Sequence, residues 1–196
     1  MHERLQAILE EVCCQQCYVD PGTLEEVLVL AVEIAREGRE GRKIGTLFVI
    51  GDVESVMTRS RALILDPLLG HPESVRSLSD PNCRETIKEL AQLDGGFVVS
   101  GDGIVVSAAR YFDASSGGIE LPLGLGSRHM AGASISKYTS AVAVVVSESS
   151  VVRIFNDGEV ISEIIPELWM LRRHGLVLRD DATTRVADDV VVVSKR

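Results

Sequence analysis

Ala141-Val142-Ala143-Val144-Val145-Val146 is an unbroken apolar run, stopped at once by the polar turn Ser147-Glu148-Ser149. Six apolar residues without alternation belong to a strand covered on both faces, since a half-solvated strand alternates and a helix needs a longer segment. Thr46-Leu47-Phe48-Val49-Ile50, followed by Gly51-Asp52, has the same character. Two such strands need helices over both faces, and the flanking sequence supplies them. Helical spacing links Leu5, Ile8, Leu9 and Val12. Beyond Pro21-Gly22 it returns in Leu24, Val27, Leu28, Ala31 and Ala35, opened by Thr23 and Glu26 at capping-box spacing and closed by Gly38 and Gly41. Asp80-Pro81 offers an N-cap and a first-turn proline to a helix carrying Ile87, Leu90 and Ala91.

Two hairpins complete the pattern. Residues 97–99 and 104–106 flank Ser100-Gly101-Asp102-Gly103, and residues 151–155 and 160–161 flank Asn156-Asp157-Gly158. Helices interspersed with hairpins and buried strands predict an α/β fold, a single domain with a central mixed β-sheet flanked by helices. The expected organisation is an N-terminal helical segment over 1–44, a core over 45–165, and a C-terminal extension over 166–196 that packs on the core. Residues 188–196 suit a last strand or a frayed tail. The cationic group around Trp169, Arg172, Arg173 and His174 fits a solvated helix end better than a phosphate contact.

Composition narrows the function. The 196 residues are 45% hydrophobic and 25% charged, with only 4% aromatics, so the core must be aliphatic. A net charge of −9 lacks the basic footprint of a general nucleic-acid binder, yet leaves room for one small polyanion held by a few local cations. No apolar segment approaches the roughly twenty residues of a membrane span, and Met1-His2-Glu3-Arg4 lacks a signal-peptide profile. The expected location is the cytoplasm, with no membrane partner. Cys13, Cys14, Cys17 and Cys83 have no second ligand pair at zinc spacing and fit reduced thiols.

Three short clusters carry chemistry. Asp94-Gly95-Gly96 sets a carboxylate beside two glycines where a helical pattern gives way to a strand. An Asp-Gly turn alone is ordinary, but bare backbone lets a ligand approach, and the carboxylate can hold a divalent metal or polarise a sugar hydroxyl. Gly126-Ser127-Arg128-His129-Met130 puts a hydroxyl, a guanidinium and an imidazole at the start of a helix. There the free amides and the helix dipole favour an anion, Arg128 can grip two phosphate oxygens, and His129 can donate or transfer a proton. Ser147-Glu148 follows the buried strand, where α/β sheets collect ligands, and Glu148 is a candidate second metal carboxylate. Taken singly, each cluster also fits a cap or an exposed turn. Together they supply the parts of phosphoryl or nucleotidyl transfer and leave the reaction class open.

From about residue 45 to about residue 155 the chain resembles the diadenylate cyclase domain of the DNA-integrity-scanning proteins and related bacterial and archaeal cyclases. Asp94-Gly95-Gly96 matches the family's Asp-Gly-Ala, Gly126-Ser127-Arg128-His129-Met130 matches Gly-Thr/Ser-Arg-His-Arg, and Ser147-Glu148 matches a Ser-Glu pair after a hydrophobic strand. Leu121-Pro122-Leu123-Gly124-Leu125-Gly126 before the second motif is similar to the archaeal branch. The resemblance implies condensation of two ATP into cyclic di-AMP with release of pyrophosphate. It also implies a face-to-face homodimer, or higher homo-oligomer, in which each protomer holds one ATP. Asp94, His129 and Glu148 become the expected catalytic residues, with Asp94 and Glu148 holding Mn²⁺ or Mg²⁺. Gly95, Gly96, Ser127, Arg128, His129 and Ser147 become the expected ATP contacts. Two departures stand out: Gly96 replaces an alanine, and Met130 replaces an arginine. A lost phosphate-facing cation is worth about 1–3 kcal/mol, and Arg110 and Lys137 are the candidate substitutes. The alternative reading is therefore a catalytically impaired adenine-nucleotide binding or sensing domain; another nucleotidyl transferase or a hydrolase with the same parts ranks behind both.

Overall fold

The computed structural model describes residues 19–63, 65–115, 117–173, 182–187 and 190–195. The expected first helix, with Cys13, Cys14 and Cys17, lies outside them. Helix α1 is Pro21–Glu37, and it opens differently from the capping-box expectation at Thr23. Asp20 is the N-cap, its carboxylate accepting from the Gly22 and Thr23 amides, and Pro21 sits in the first turn where a missing N–H costs nothing. Pro21-Gly22 thus starts this helix. Gly38 ends it at φ 59°, as a left-handed closing residue should.

The strands are β1 (Thr46–Ile50), β2 (Ser60–Ala62), β3 (Gly96–Val99), β4 (Val105–Phe112), β5 (Val142–Val146), β6 (Val152–Asn156) and β7 (Glu159–Ile164). They form one seven-stranded sheet in the order β2-β4-β3-β1-β5-β6-β7. Only β1 and β3 pair in parallel, with Phe48 opposite Phe97; the other pairs are antiparallel. The sheet is mixed, as expected. Between β1 and β3 the chain forms α2 (Val53–Thr58), β2, a 3₁₀ turn at Glu73–Val75 and α3 (Pro81–Leu90). Helix α4 (Ser127–Tyr138) lies between β4 and β5.

Every residue of β1 and of β5 is buried, the pattern of strands sandwiched between helical layers. Leu47, Val49, Val98, Val145 and Phe155 form one face of the sheet and pack with Val56 of α2 and with Ala133 and Ile135 of α4. The alternate residues point the other way. There Phe48 and Phe97 stack with ring centroids 5.0 Å apart, and α1 packs its Leu24, Val27, Leu28 and Ala31. Helices α1 and α3 are tied by Lys88, which pairs at 2.9 Å with both Glu33 and Glu85, and by Arg39, which reaches Glu89 at 2.9 Å. Helix α1 falls in the same compact unit as the sheet.

The chain divides into two compact units, residues 1–166 and 167–196. The second holds nearly all of α5 (Pro166–Arg173) and an antiparallel hairpin of β8 (Ala182–Ala187) with β9 (Val190–Lys195). Residues 190–195 are thus strand, the first of the two alternatives for the end of the chain. Arg172 and Arg173 lie in α5, and His174 falls outside the described residues.

Candidate active site

Strand direction brings the three clusters to one end of the sheet. β1 and β3 are parallel and start together, which puts Gly45 beside Asp94-Gly95. β5 is antiparallel to β1, with Val146 opposite Thr46, so Ser147 and Glu148 leave the sheet at that same end. The first turn of α4 closes over it, and Arg128 pairs with Glu148 at 2.9 Å across the gap. Gly45 lies beneath this pair. A Cβ there would stand 2.8 Å from an Arg128 guanidinium nitrogen and 3.2 Å from Glu148 Cγ, so only glycine leaves the pair its place. Nothing in the sequence around Gly45 marks it, because its role depends on residues about 80 and 100 positions away.

A cleft of about 380 Å³ is lined by Asp94, Gly95, Ser127 and Arg128, with apolar walls that include Leu47 and Phe112. That volume is in the range of a small-molecule site. Gly95 has φ 95°, and a Cβ would lie 2.6 Å from the Arg110 carbonyl oxygen, so the chain needs glycine here twice over. Gly96 differs from the sequence expectation. It is buried as the first residue of β3 and does not line the cleft; an added Cβ would run into the Leu47 carbonyl oxygen of β1. Glycine at 96 is a packing requirement between two strands. The Asp94 side chain is exposed, and among the described residues nothing donates to it or pairs with it.

A second cleft, of about 280 Å³, shares Ser127 and Arg128 with the first and adds Gly126, His129, Ser147 and Glu148. Gly126 is the N-cap of α4, so Ser127 is its first helical residue, at the helix start as expected. The first helical hydrogen bonds run from the His129 and Met130 amides to the Gly126 carbonyl. The Ser127 and Arg128 amides precede them and stay available to an anion. Ser147 and Ser149 share a hydroxyl–hydroxyl hydrogen bond of 2.8 Å, which holds the turn around Glu148.

His129 is only 6% exposed. Its Nε2 lies 3.2 Å from Nη1 of Arg153 on β6, and Arg153 Nε donates to Glu163 on β7 at 2.6 Å. Burial, reinforced by the Arg153 and Arg128 charges, pushes the imidazole pKa below its ordinary 6.5, although Glu163 opposes the shift. Nδ1 is buried and has no partner among the described residues. Arg153 and Glu163 escape motif reading. Their pairing follows from the hairpin around Asn156-Asp157-Gly158, which sets them opposite each other, but contact with His129 is tertiary.

Asp94 offers a free carboxylate oxygen at a cleft, a donor suited to a hard divalent cation whose other ligands arrive with a phosphorylated substrate. Glu148 differs. It lines the second cleft and not the first, and its carboxylate is engaged by Arg128. No group of three or more His, Cys, Asp or Glu side chains able to hold a metal occurs among the described residues. The two carboxylates expected to share one metal thus line different clefts, on either side of Arg128.

A family model described as DAC, DisA bacterial checkpoint controller nucleotide-binding, matches residues 33–160. This chain belongs to the DAC family. Two curated relatives, both named Diadenylate cyclase, agree. The one from Methanocaldococcus jannaschii is 50% identical over 150 residues, covering 76% of this chain and 47% of its own length. The one from Haloferax volcanii is 42% identical over 151 residues, covering 76% of this chain and 55% of its own length. The chain spans about half the length of these relatives. A solved structure of a DacA double mutant from Staphylococcus aureus is 24% identical over 78% of this chain and 95% of its own, with a TM-score of 0.48.

Of this chain's two departures from the motifs, Gly96 lies in β3 and Met130 in the first turn of α4. Met130 packs against the apolar cluster beneath α4. Neither candidate substitute supplies a free cation there. Arg110 lines the first cleft, but its guanidinium donates to Ser60 Oγ at 2.9 Å and to the Ser60 carbonyl at 2.7 Å. The Lys137 stem covers Gly158, away from both clefts. No helix among the described residues is long and apolar enough to cross a membrane.

Proposed function

We propose that this chain is a diadenylate cyclase half-site that joins two ATP molecules into cyclic di-AMP with release of two pyrophosphates. The observation that carries the reading is that Asp94 and Arg128, from motifs more than thirty residues apart, line one nucleotide-sized cleft in a chain of the DAC family. The apolar walls at Leu47 and Phe112 suit a base and ribose, and the start of α4 suits the triphosphate. Ser127 and Arg128 then hold phosphate oxygens through their free amides, and Arg128 adds a guanidinium kept in place by Glu148 and Gly45.

Asp94, exposed and unpaired, is placed to take the proton of a ribose 3′-hydroxyl and to hold Mn²⁺ or Mg²⁺ together with substrate phosphates. The cation would supply charge neutralisation on those phosphates. In each step a 3′-oxygen bonds to the α-phosphorus of the other nucleotide, the bond to the β-phosphate oxygen breaks, and pyrophosphate leaves with the electron pair. One protomer offers one such cleft for one ATP, so two protomers must face each other as a homodimer. Glu148 acts through Arg128 in this account, and Ser147 keeps its turn.

A second reading, an adenine-nucleotide binding domain with little turnover, is favoured by Met130. Its side chain joins the apolar cluster where the family motif carries a cation. Incubating purified protein with ATP and Mn²⁺ or Mg²⁺, then identifying products by mass spectrometry, separates the two. Cyclic di-AMP and pyrophosphate in a 1:2 ratio are expected. Thermal stabilisation by ATP without any cyclic product would replace the first reading with the second. Cytoplasmic activity is the corresponding expectation for location.

A further inference from the structure

A chain of side chains runs from exposed Glu163 on β7 through Arg153 on β6, neither of them in any of the three motifs, to buried His129 in the first turn of α4. Arginine carries only donors, so where its Nη1 meets a ring nitrogen at 3.2 Å that nitrogen must present a lone pair. His129 Nε2 is therefore unprotonated. A neutral imidazole then bears its proton on Nδ1, and a charged one would set two N–H groups against each other. Glu163 Oε1 accepts from Arg153 Nε at 2.6 Å, and the two residues are register partners on adjacent strands. The guanidinium is fixed from behind. The other groups around the ring are Arg128 on the same helix and Phe155, whose ring centroid lies 6.3 Å away.

We propose that Arg153, anchored by Glu163, is a positioning residue that locks His129 as a neutral imidazole with its proton on Nδ1. This makes His129 a fixed hydrogen-bond donor to the nucleotide's phosphates, not a proton-transfer group. The proposal rests on the reading of the two clefts as the nucleotide site. His129 lines the second cleft together with Ser127, Arg128 and Ser147. Its Nδ1 is buried without an acceptor among the described residues, an unmet hydrogen bond that a phosphate oxygen is suited to fill. With Nε2 held by Arg153, whatever His129 gives a bound nucleotide passes through Nδ1–H. The acid or base expected of His129 from the motif alone is withdrawn, and proton removal is left to Asp94.

The lock can be read without turnover. Long-range ¹⁵N–¹H spectra of histidine-labelled protein, with His129 assigned by the loss of its signals in His129→Asn, report tautomer and charge directly. The expected wild-type ring is neutral and Nδ1-protonated at pH about 7.5, and it takes up a second proton only below the ordinary imidazole range. In Arg153→Met, where the ring stays buried, the two neutral tautomers should mix. Because the other tautomer turns a lone pair instead of an N–H toward the phosphate, Arg153→Met should also bind α,β-methylene ATP more weakly than wild type. Arg153→Lys, which restores a donor, should return the ring to the Nδ1-protonated tautomer. Glu163→Gln, at a more exposed position, should loosen the tautomer without unfolding the protein. A wild-type ring protonated on Nε2, or the same spectrum in Arg153→Met, would overturn the lock. Because the spectra need no nucleotide, a correct tautomer in a protein that binds no ATP would instead overturn the site reading beneath the proposal.

Discussion

At the scale of single residues, Asp94 and His129 illustrate opposite ways of preparing a side chain. Asp94 is exposed and unpaired among its described neighbours, so its role lies in what it meets rather than in what it supports. Asp94→Asn should abolish cyclic product while moving the melting temperature by no more than a few degrees, as an exposed substitution does. Intact product formation would remove Asp94 from the chemistry. His129 is held neutral by burial and by Arg153 and Arg128, below the ordinary 6.5. On unfolding the ring regains its usual affinity for protons, so below pH about 6.5 the unfolded chain binds more protons than the folded one. This contribution to stability is complete above about 6.5 and is lost as pH falls toward the folded value. A melting series against pH should show a decline below 6.5 that His129→Gln flattens, and equal slopes in both proteins would contradict it. Met130 belongs to the apolar side of α4, so Met130→Arg should lower the melting temperature by driving a charge against that cluster.

At the scale of elements, the strands were legible because their composition is extreme. Five consecutive buried residues in β1 and in β5 leave no other assignment, and the Asp157-Gly158 turn announces the β6–β7 hairpin. Helix α3 was legible through Asp80-Pro81. Short elements were not. Helix α2 and strand β2 span six and three residues and take their stability from Ser60, Arg110 and the partner strand β4. The start of α1 was misplaced because Asp20 and Thr23 both suit a cap, and only the Asp20 carboxylate reaches the free amides. Site residues with a motif were legible, whereas Gly45, Arg153 and Glu163 act through contacts between distant segments. The pairing of β1 with β3 makes its own prediction. Gly96→Ala, although it restores the family's residue, must push a methyl into the Leu47 carbonyl and should cost about 1–3 kcal/mol in stability. Chemical denaturation measures this, and an unchanged midpoint would show that the two strands can part.

For the molecule as a whole, the proposed function requires two motifs on one nucleotide and two protomers in one reaction. On the proposed reading a protomer brings one Asp94–Arg128 cleft and one ATP, and the cyclic product needs a second protomer. Specific activity should therefore rise with protein concentration before it levels off, and strict proportionality from the lowest concentration would argue for a preassembled or single-chain centre. The claim beneath all of this is that Asp94 and Arg128 act on the same triphosphate. Calorimetric titration with α,β-methylene ATP, in wild type, Arg128→Ala and Asp94→Asn, with and without Mg²⁺, tests it most directly. Loss of a charge-assisted contact should make Arg128→Ala bind at least about tenfold more weakly under both conditions. Asp94→Asn should lose only the part of the affinity that Mg²⁺ confers. Equal dissociation constants in all three proteins would mean that the two motifs do not meet on one nucleotide.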